Sequence, residues 1–168
     1  MMDATLAGVA ILALVTLQRL AELSLASRNS RRLLAQGAVE HGASHYPLVV
    51  ALHALWLAAL WWWAPGRPVN VPLLTFFLVL QVGRLWVIGT LGERWTTRII
   101  VTPGTPLVRR GPYRFMNHPN YLIVVLEIAV LPLVFGLWQL ALVFSLLNAV
   151  VLAIRIGEEN RALASLRS

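Results

Sequence analysis

The chain of 168 residues contains no cysteine and no lysine, and charged residues of both signs make up only 12% of it. Without cysteine there is no disulfide framework, thiolate nucleophile or cysteine-based zinc site, and no metal site of any kind is expected. Without lysine there is no Schiff-base chemistry on a side chain. A soluble domain would carry about twice this charge fraction, so a water-soluble enzyme is excluded. What the chain has instead is apolar surface and arginine. Hydrophobic residues make up 58%, the mean hydropathy is +0.72, and all fourteen basic residues are arginine, for a net charge of +7. Such a charge attracts nucleic acid or anionic lipid. In so apolar a chain the partner is lipid, and no nucleic acid is expected.

Crossing the hydrocarbon takes roughly 20 apolar residues in a helix. Five segments have that character: about Ala4 to Leu25, Tyr46 to Trp63, Val69 to Leu91, Pro119 to Phe135 and Leu137 to Ile156. The expected fold is therefore an all-α integral membrane protein with about five transmembrane helices. The first segment lacks a basic n-region and a small-residue cleavage site, so it reads as a retained anchor. The organisation expected is a single membrane domain over residues 1–168. Spans one to three occupy 1–91, a connector 92–118, and a helical hairpin with its tail 119–168.

The arginines orient the spans. Arg28, Arg31, Arg32, Arg94, Arg98, Arg109, Arg110, Arg114, Arg155, Arg161 and Arg167 fall on one side, and Arg67 alone on the other. Positive charge collects on the cytoplasmic side, which puts the N-terminus outside and the C-terminus in the cytoplasm. The localisation this implies is an integral membrane one, with the arginine-rich side facing the cytoplasm. Trp61, Trp62, Trp63 and Trp138 fall at the outer boundary, as an aromatic belt does. In the connector, "TTRIIV" and "PLVRRGPY" flank the turn signal Thr102-Pro103-Gly104, which predicts two short extended segments forming a hairpin.

Several polar side chains stand inside the spans: Arg19, Glu22, His53, Gln81, Arg84, Glu127 and Asn148. Counted from the arginine-rich side, His53, Arg84, Glu127 and Asn148 lie on the order of 10–15 Å deep. A charge there costs roughly 2.5–3.5 kcal/mol on insertion scales, so it faces a partner or a cavity. Arg84 and Glu127 are the candidate ion pair of a polar pocket open to the cytoplasm; inter-helix ties without chemistry are the other reading. Arg19 and Glu22, three apart, read as a self-neutralising pair near the interface. His41 and His45 read as solvated loop residues.

The stretch that carries chemistry is "RRGPYRFMNHPNYL", followed by "RIGEENRAL". Asn117 is placed to cap the fourth helix and Pro119 to occupy its first turn, leaving a positive dipole end that suits an anion. His118 and Tyr121 stand at this mouth. The fourth and fifth spans have nearly equal lengths, so a hairpin returns Arg155, Glu158 and Glu159 to the level of His118. A ligand with an anionic end, a cationic group and hydroxyls fits this set, and S-adenosylmethionine is such a ligand. By spacing alone, an ordinary charged helix end at the membrane surface is the reading that Glu158 and Glu159 favour.

These residues resemble the isoprenylcysteine carboxyl methyltransferase family of integral-membrane methyltransferases. The resemblance rests on Gly111, Tyr113, His118, Pro119, Tyr121, Arg155, Glu158 and Glu159 in that order, and on the upstream "LGERWTTRIIV". It covers roughly residues 85 to 165. Asn117 stands where the family usually has arginine, and Ile123 where many members have glycine. The wording is most similar to a bacterial branch associated with O-methylation of alkylpyrones and alkylresorcinols. The resemblance implies S-adenosylmethionine as cofactor, bound by Tyr113, His118, Pro119, Tyr121, Glu158 and Glu159, and a lipophilic acceptor in the membrane.

Methyl transfer is an in-line displacement that needs alignment and exclusion of water rather than a covalent intermediate. For a phenolic or pyrone acceptor, desolvated Glu127 is the candidate base. For a carboxylate acceptor, Arg84 or Arg155 would orient it. The expected function is thus methylation of a lipid-like hydroxyl. Carboxyl methylation of a prenylcysteine-like substrate and phospholipid methylation are alternatives within the same chemistry. A small transporter or assembly factor using Arg84 and Glu127 is the alternative from another class.

Overall fold

The computed structural model describes residues 4–167, with side chains through Leu163; Met1–Asp3 and the side chain of Arg167 lie outside the described residues. Five helices dominate: α1 (Ala4–Ala35), α2 (Tyr46–Trp63), α3 (Val71–Leu91), α4 (Pro119–Val134) and α5 (Trp138–Arg167). Four of them are long and apolar enough to cross a membrane, and α4, with 16 residues, is shorter. Their outward faces are apolar: Leu14, Leu55, Val82 and Leu146 are each more than three-fifths exposed. A surface of this kind is solvated by lipid tails, and the protein is an all-α integral membrane protein.

The helices alternate in direction. At one end Gly8 of α1 approaches Ala64 after α2 and Phe135 after α4, and the Asn70 amide before α3 donates to the Val134 carbonyl of α4. At the other end Asn29 of α1 donates to the carbonyls of Gly92 and Trp95 just past α3, and Tyr121 of α4 meets Arg155 of α5. Because α4 runs between the same two ends as its longer neighbours, it follows the alternation of a five-helix bundle.

Two helices run on past the apolar segments. α1 continues through "ASRNSRRLLA" and α5 through "GEENRALASLR", since polar residues with good helix propensity end a membrane span without ending a helix. The core lies between the helices on residues such as Leu12, Trp56, Phe77, Ile128 and Leu131. Trp56 ties α2 to α4 by donating its indole N–H to the Ile128 carbonyl at 3.2 Å. α4 and α5 are joined by a tight turn. The Leu137 amide donates to Pro132 O and the Gly136 amide to Leu133 O, with Gly136 at φ 69°. This is a Schellman closure, which needs the left-handed residue that glycine supplies.

The connector departs from the expected hairpin. "PLVRRGPY" forms no strand. β2 (Ile99–Val101) instead pairs antiparallel with β1 (Val39–His41), matching Val39 to Val101 and His41 to Ile99. Ile99 and Val101 are buried against Ala162 and Leu163 of α5, so the strand gains an apolar contact that a local hairpin would lack. His45 is buried rather than solvated.

Candidate functional site

The polar residues divide into two groups that the sequence reading had merged. The first is a closed ionic network among α1, α3 and α4. Arg84 grips Glu22 with two bonds, Nε to Oε1 and Nη2 to Oε2, each 2.7 Å, and reaches Glu127 Oε2 through Nη1 at 3.0 Å. Arg19 adds bonds to Glu22 at 2.9 Å and Glu127 at 3.0 Å. Gln81 donates to the remaining Glu127 oxygen at 2.9 Å, and Gln18 bridges Gln81 and Glu22. Two positive and two negative charges cancel inside the bundle, where each alone would be costly.

The pair Arg84–Glu127 is therefore present, as part of this network and outside the lining of the cavity described next. Glu127 is 3% exposed, and its two oxygens accept from Gln81, Arg84 and Arg19. The pairing of Arg19 with Glu22 is also more than local. Glu22 is 8% exposed, and its strongest contacts are to Arg84, 62 residues away. His53 bonds its own helix at Val49 O, and Asn148 is buried in α5.

The second group lines a cavity of about 840 Å³ at the arginine-rich end, where the connector folds over the ends of α3, α4 and α5. Tyr113, His118, Tyr121, Arg155 and Glu159 meet here. Tyr121 is the hub. Its hydroxyl donates to Glu159 Oε2 and accepts from Arg155 Nε at 2.9 Å. His118 stacks on the Tyr121 ring, with centroids 5.2 Å apart, and its Nδ1 lies 3.7 Å from Glu159. Arg155 also donates from Nη2 to the Thr97 carbonyl at 2.8 Å, which ties α5 to the connector. Burial pushes the Tyr113 phenol above its usual pKa, and the nearby Glu159 carboxylate adds to the effect, so Tyr113 is a neutral hydroxyl across the physiological range.

Local rules place these side chains. Gly111 has φ 56°, and a β-carbon there would lie 2.5 Å from the Thr90 hydroxyl of α3. Only glycine lets the connector close on α3 and deliver Tyr113 two residues later. Pro119 starts α4, but the residue before it, His118, is the N-cap, and no side chain caps the helix. Asn117 lies on the cavity lining and does not cap, because the backbone at His118 (φ −131°, ψ 58°) already ends the helix one residue later than expected. The Tyr121 and Leu122 amides both turn to the His118 carbonyl, so the N-terminus is less open to an anion than its sequence implied.

Glu158 and Glu159 point in different directions. Successive helical residues diverge by about 100°. Glu159 shares the face of Arg155 four residues back, while Glu158 turns toward Gly42 and pairs with Arg161 at 3.1 Å. Residues not singled out by the sequence also line the cavity, among them Arg94, Trp95, Arg98 and Asn120. Asn120, between Pro119 and Tyr121 of the motif, was the one most open to discovery. Arg98 reached the site through Glu40 and Tyr46, which it pairs with and stacks on, contacts that no local pattern announces.

The membrane-embedded helical bundle thus carries, at its arginine-rich end, a cavity lined by His118, Tyr121, Arg155 and Glu159. The chain matches the model of the isoprenylcysteine carboxyl methyltransferase (ICMT) family over residues 73–165, more than half its length. It belongs to that family and is a membrane methyltransferase. It is 36% identical over 166 residues to the uncharacterized protein YpbQ of Bacillus subtilis, covering 91% of this chain and 94% of that one. It is 28% identical over 160 residues to an uncharacterized protein of Haemophilus influenzae, covering 88% and 90%. No solved structure matches.

Proposed function

We propose that the protein transfers the methyl group of S-adenosylmethionine to an oxygen of a lipophilic acceptor, a phenolic or pyrone lipid, at the cytoplasmic face of the membrane. The observation that carries this reading is that two cavity-lining residues, Arg155 and Asn120, each hold a buried polar atom, Nη1 and Oδ1, without a hydrogen-bond partner among the described residues. Native proteins satisfy such groups, by ligand where not by protein. A donor and an acceptor are thus left over on the wall that also carries the Glu159 carboxylate. A zwitterionic amino-acid end answers all three: carboxylate to Arg155, ammonium to Asn120 and Glu159. The cavity volume also falls within the range of small-molecule sites.

The cofactor supplies an electrophilic methyl carbon on a sulfonium. The protein's part is to hold and align. Tyr121 fixes Arg155 and Glu159 in register by bonding both. His118 and Tyr121 offer aromatic faces, and Tyr113 a neutral hydroxyl donor. The connector folds over the site, and the surrounding helices present their apolar faces to the lipid in which the acceptor dissolves. The arginine distribution supports a cytoplasmic location for this end. Family membership favours this enzyme over the transporter reading.

The test is to incubate membranes containing the protein with methyl-labelled S-adenosylmethionine. Label in the lipid extract that withstands base is the expected result, an ether. Base-labile label indicates carboxyl methylation. Label in protein or in phospholipid headgroups, or none above control membranes, overturns the proposal.

A further inference from the structure

The cavity wall carries one group whose ring edge the cofactor reading leaves without a task, the imidazole of His118. Three contacts fix it. Its carbonyl accepts from the Tyr121 and Leu122 amides at 3.1 and 3.4 Å, which sets the backbone at the start of α4. Its ring lies nearly parallel to that of Tyr121, with 15° between the planes. Its Nδ1 stands 3.7 Å from Glu159 Oε2, within ion-pair reach but beyond a hydrogen bond. The side chain is 21% exposed, and Nε2 has no partner among the described residues. A carboxylate on the Nδ1 side favours the tautomer that keeps its proton there, which leaves the lone pair on Nε2.

We infer that His118 is the general base of the methyl transfer, taking the proton of a neutral phenolic acceptor while Glu159 holds the imidazole in the productive tautomer. This rests on the methyltransferase reading and adds a proton acceptor to it. The chemistry requires one, since a phenol keeps its proton at neutral pH, as the tyrosine side chain does with a pKa of about 10. The cavity narrows the choice. The arginines on its wall stay protonated. Tyr113 is a neutral hydroxyl, and Tyr121 is engaged by Arg155 and Glu159. Glu127 lies outside the lining, bonded to Arg19, Arg84 and Gln81. His118 and Glu159 remain. Glu159 Oε2 already accepts the Tyr121 hydroxyl, and an imidazole is better matched to proton uptake near neutral pH than a carboxylate. An imidazolium formed at His118 faces the Glu159 carboxylate of α5 directly. It meets the Arg155 guanidinium only across the Tyr121 ring, whose centroid lies 5.7 Å from that group, while Tyr113 and Arg114 complete the wall from the connector.

The step balances. The phenol O–H bond breaks and its proton goes to His118 Nε2. The oxygen forms the new carbon–oxygen bond, and the carbon–sulfur bond breaks with its electron pair on sulfur. One cation, the sulfonium, is replaced by another, the imidazolium, so the site keeps its net charge through the step. The proton passes to water when the products leave. Glu159 is also read as a partner of the cofactor's ammonium. Only a short carbon chain separates that ammonium from the sulfonium, which brings base and methyl carbon into the same part of the cavity. An acceptor that is already ionised needs no such base.

The experiment compares two acceptors in detergent at neutral pH, with methyl-labelled S-adenosylmethionine as donor. One is 5-undecylresorcinol, a neutral phenol. The other is 6-undecyl-4-hydroxy-2-pyrone, an acidic enol that arrives ionised. His118→Gln is expected to lower resorcinol turnover about a hundredfold or more relative to pyrone turnover, the worth of general-base catalysis. A defect in folding or in cofactor binding lowers both alike, because both acceptors draw on one donor site. In His118→Gly, added imidazole is expected to restore part of the resorcinol turnover and to leave pyrone turnover as it was. An equal fall with both acceptors, no rescue by imidazole, or a wild-type protein that methylates the pyrone and not the resorcinol overturns the inference. A wild-type protein that methylates neither overturns instead the methyl-transfer reading on which it rests.

Discussion

Tyr121 shows how much one hydroxyl does at this site. It accepts from Arg155 and donates to Glu159, so replacing it with phenylalanine releases both. Tyr121→Phe is expected to weaken S-adenosylmethionine binding by about tenfold or more, the worth of hydrogen bonds to charged groups. Glu158→Gln, which touches only the Arg161 pair, is expected to leave it unchanged. Titration calorimetry on the two variants checks the contrast. Glu127 behaves differently. Glu127→Gln leaves two buried arginines sharing one acid, a loss of about 3–5 kcal/mol when a buried ion pair is broken. A fall in the thermal unfolding midpoint in detergent is expected, and an unchanged midpoint with lost turnover would instead restore Glu127 as a base.

At this scale the sequence told much, though unevenly. The depth of Arg84 and Glu127 announced a pair, because a lone charge in hydrocarbon demands an answer. The same logic failed for Glu22, where a plausible local partner, Arg19, hid the distant one that grips it with two bonds. The adjacent acids Glu158 and Glu159 looked alike in the chain and differ only through the helical turn between them.

Elements were legible where they were long. Spans of unbroken apolar residues fixed α2 to the residue and α3 and α4 to within two. The overrun of α1 and α5 escaped because hydropathy falls where helix propensity does not. The β1–β2 pair escaped for another reason. Three-residue strands some sixty positions apart carry no periodic signal, and their stability comes from burying Ile99 and Val101 on α5. That contact, with the Arg155–Thr97 bond, holds the connector over the cavity. Val101→Asp buries a charge without a partner and is expected to weaken cofactor binding severalfold while far-UV circular dichroism keeps the helical signal.

Over the whole molecule the two ends differ sharply. One carries the cavity and eleven of the arginines. The other carries Arg67 with Trp61, Trp62, Trp63 and Trp138, all of them more than a third exposed. The chain's lack of cysteine makes orientation easy to measure. Single cysteines at Trp138 and at Gly104, introduced one at a time, report the two ends. An impermeant maleimide added to intact cells is expected to label Trp138→Cys and to spare Gly104→Cys; the reverse pattern places the cavity outside the cell.

The four-charge network also bears on how the charges balance as the chain is made. α1 leaves the ribosome first, and its Arg19 and Glu22 already bond each other at 2.9 Å, so this segment can enter the bilayer with its charge balanced. Arg84 arrives next on α3 and finds Glu22 waiting, which leaves a surplus positive charge. Glu127 on α4 removes that surplus, and chains generally assemble from the N-terminus as they are made. Truncated nascent chains that stop before α4 would therefore carry an uncompensated arginine in the lipid, a natural mark for membrane quality-control proteolysis.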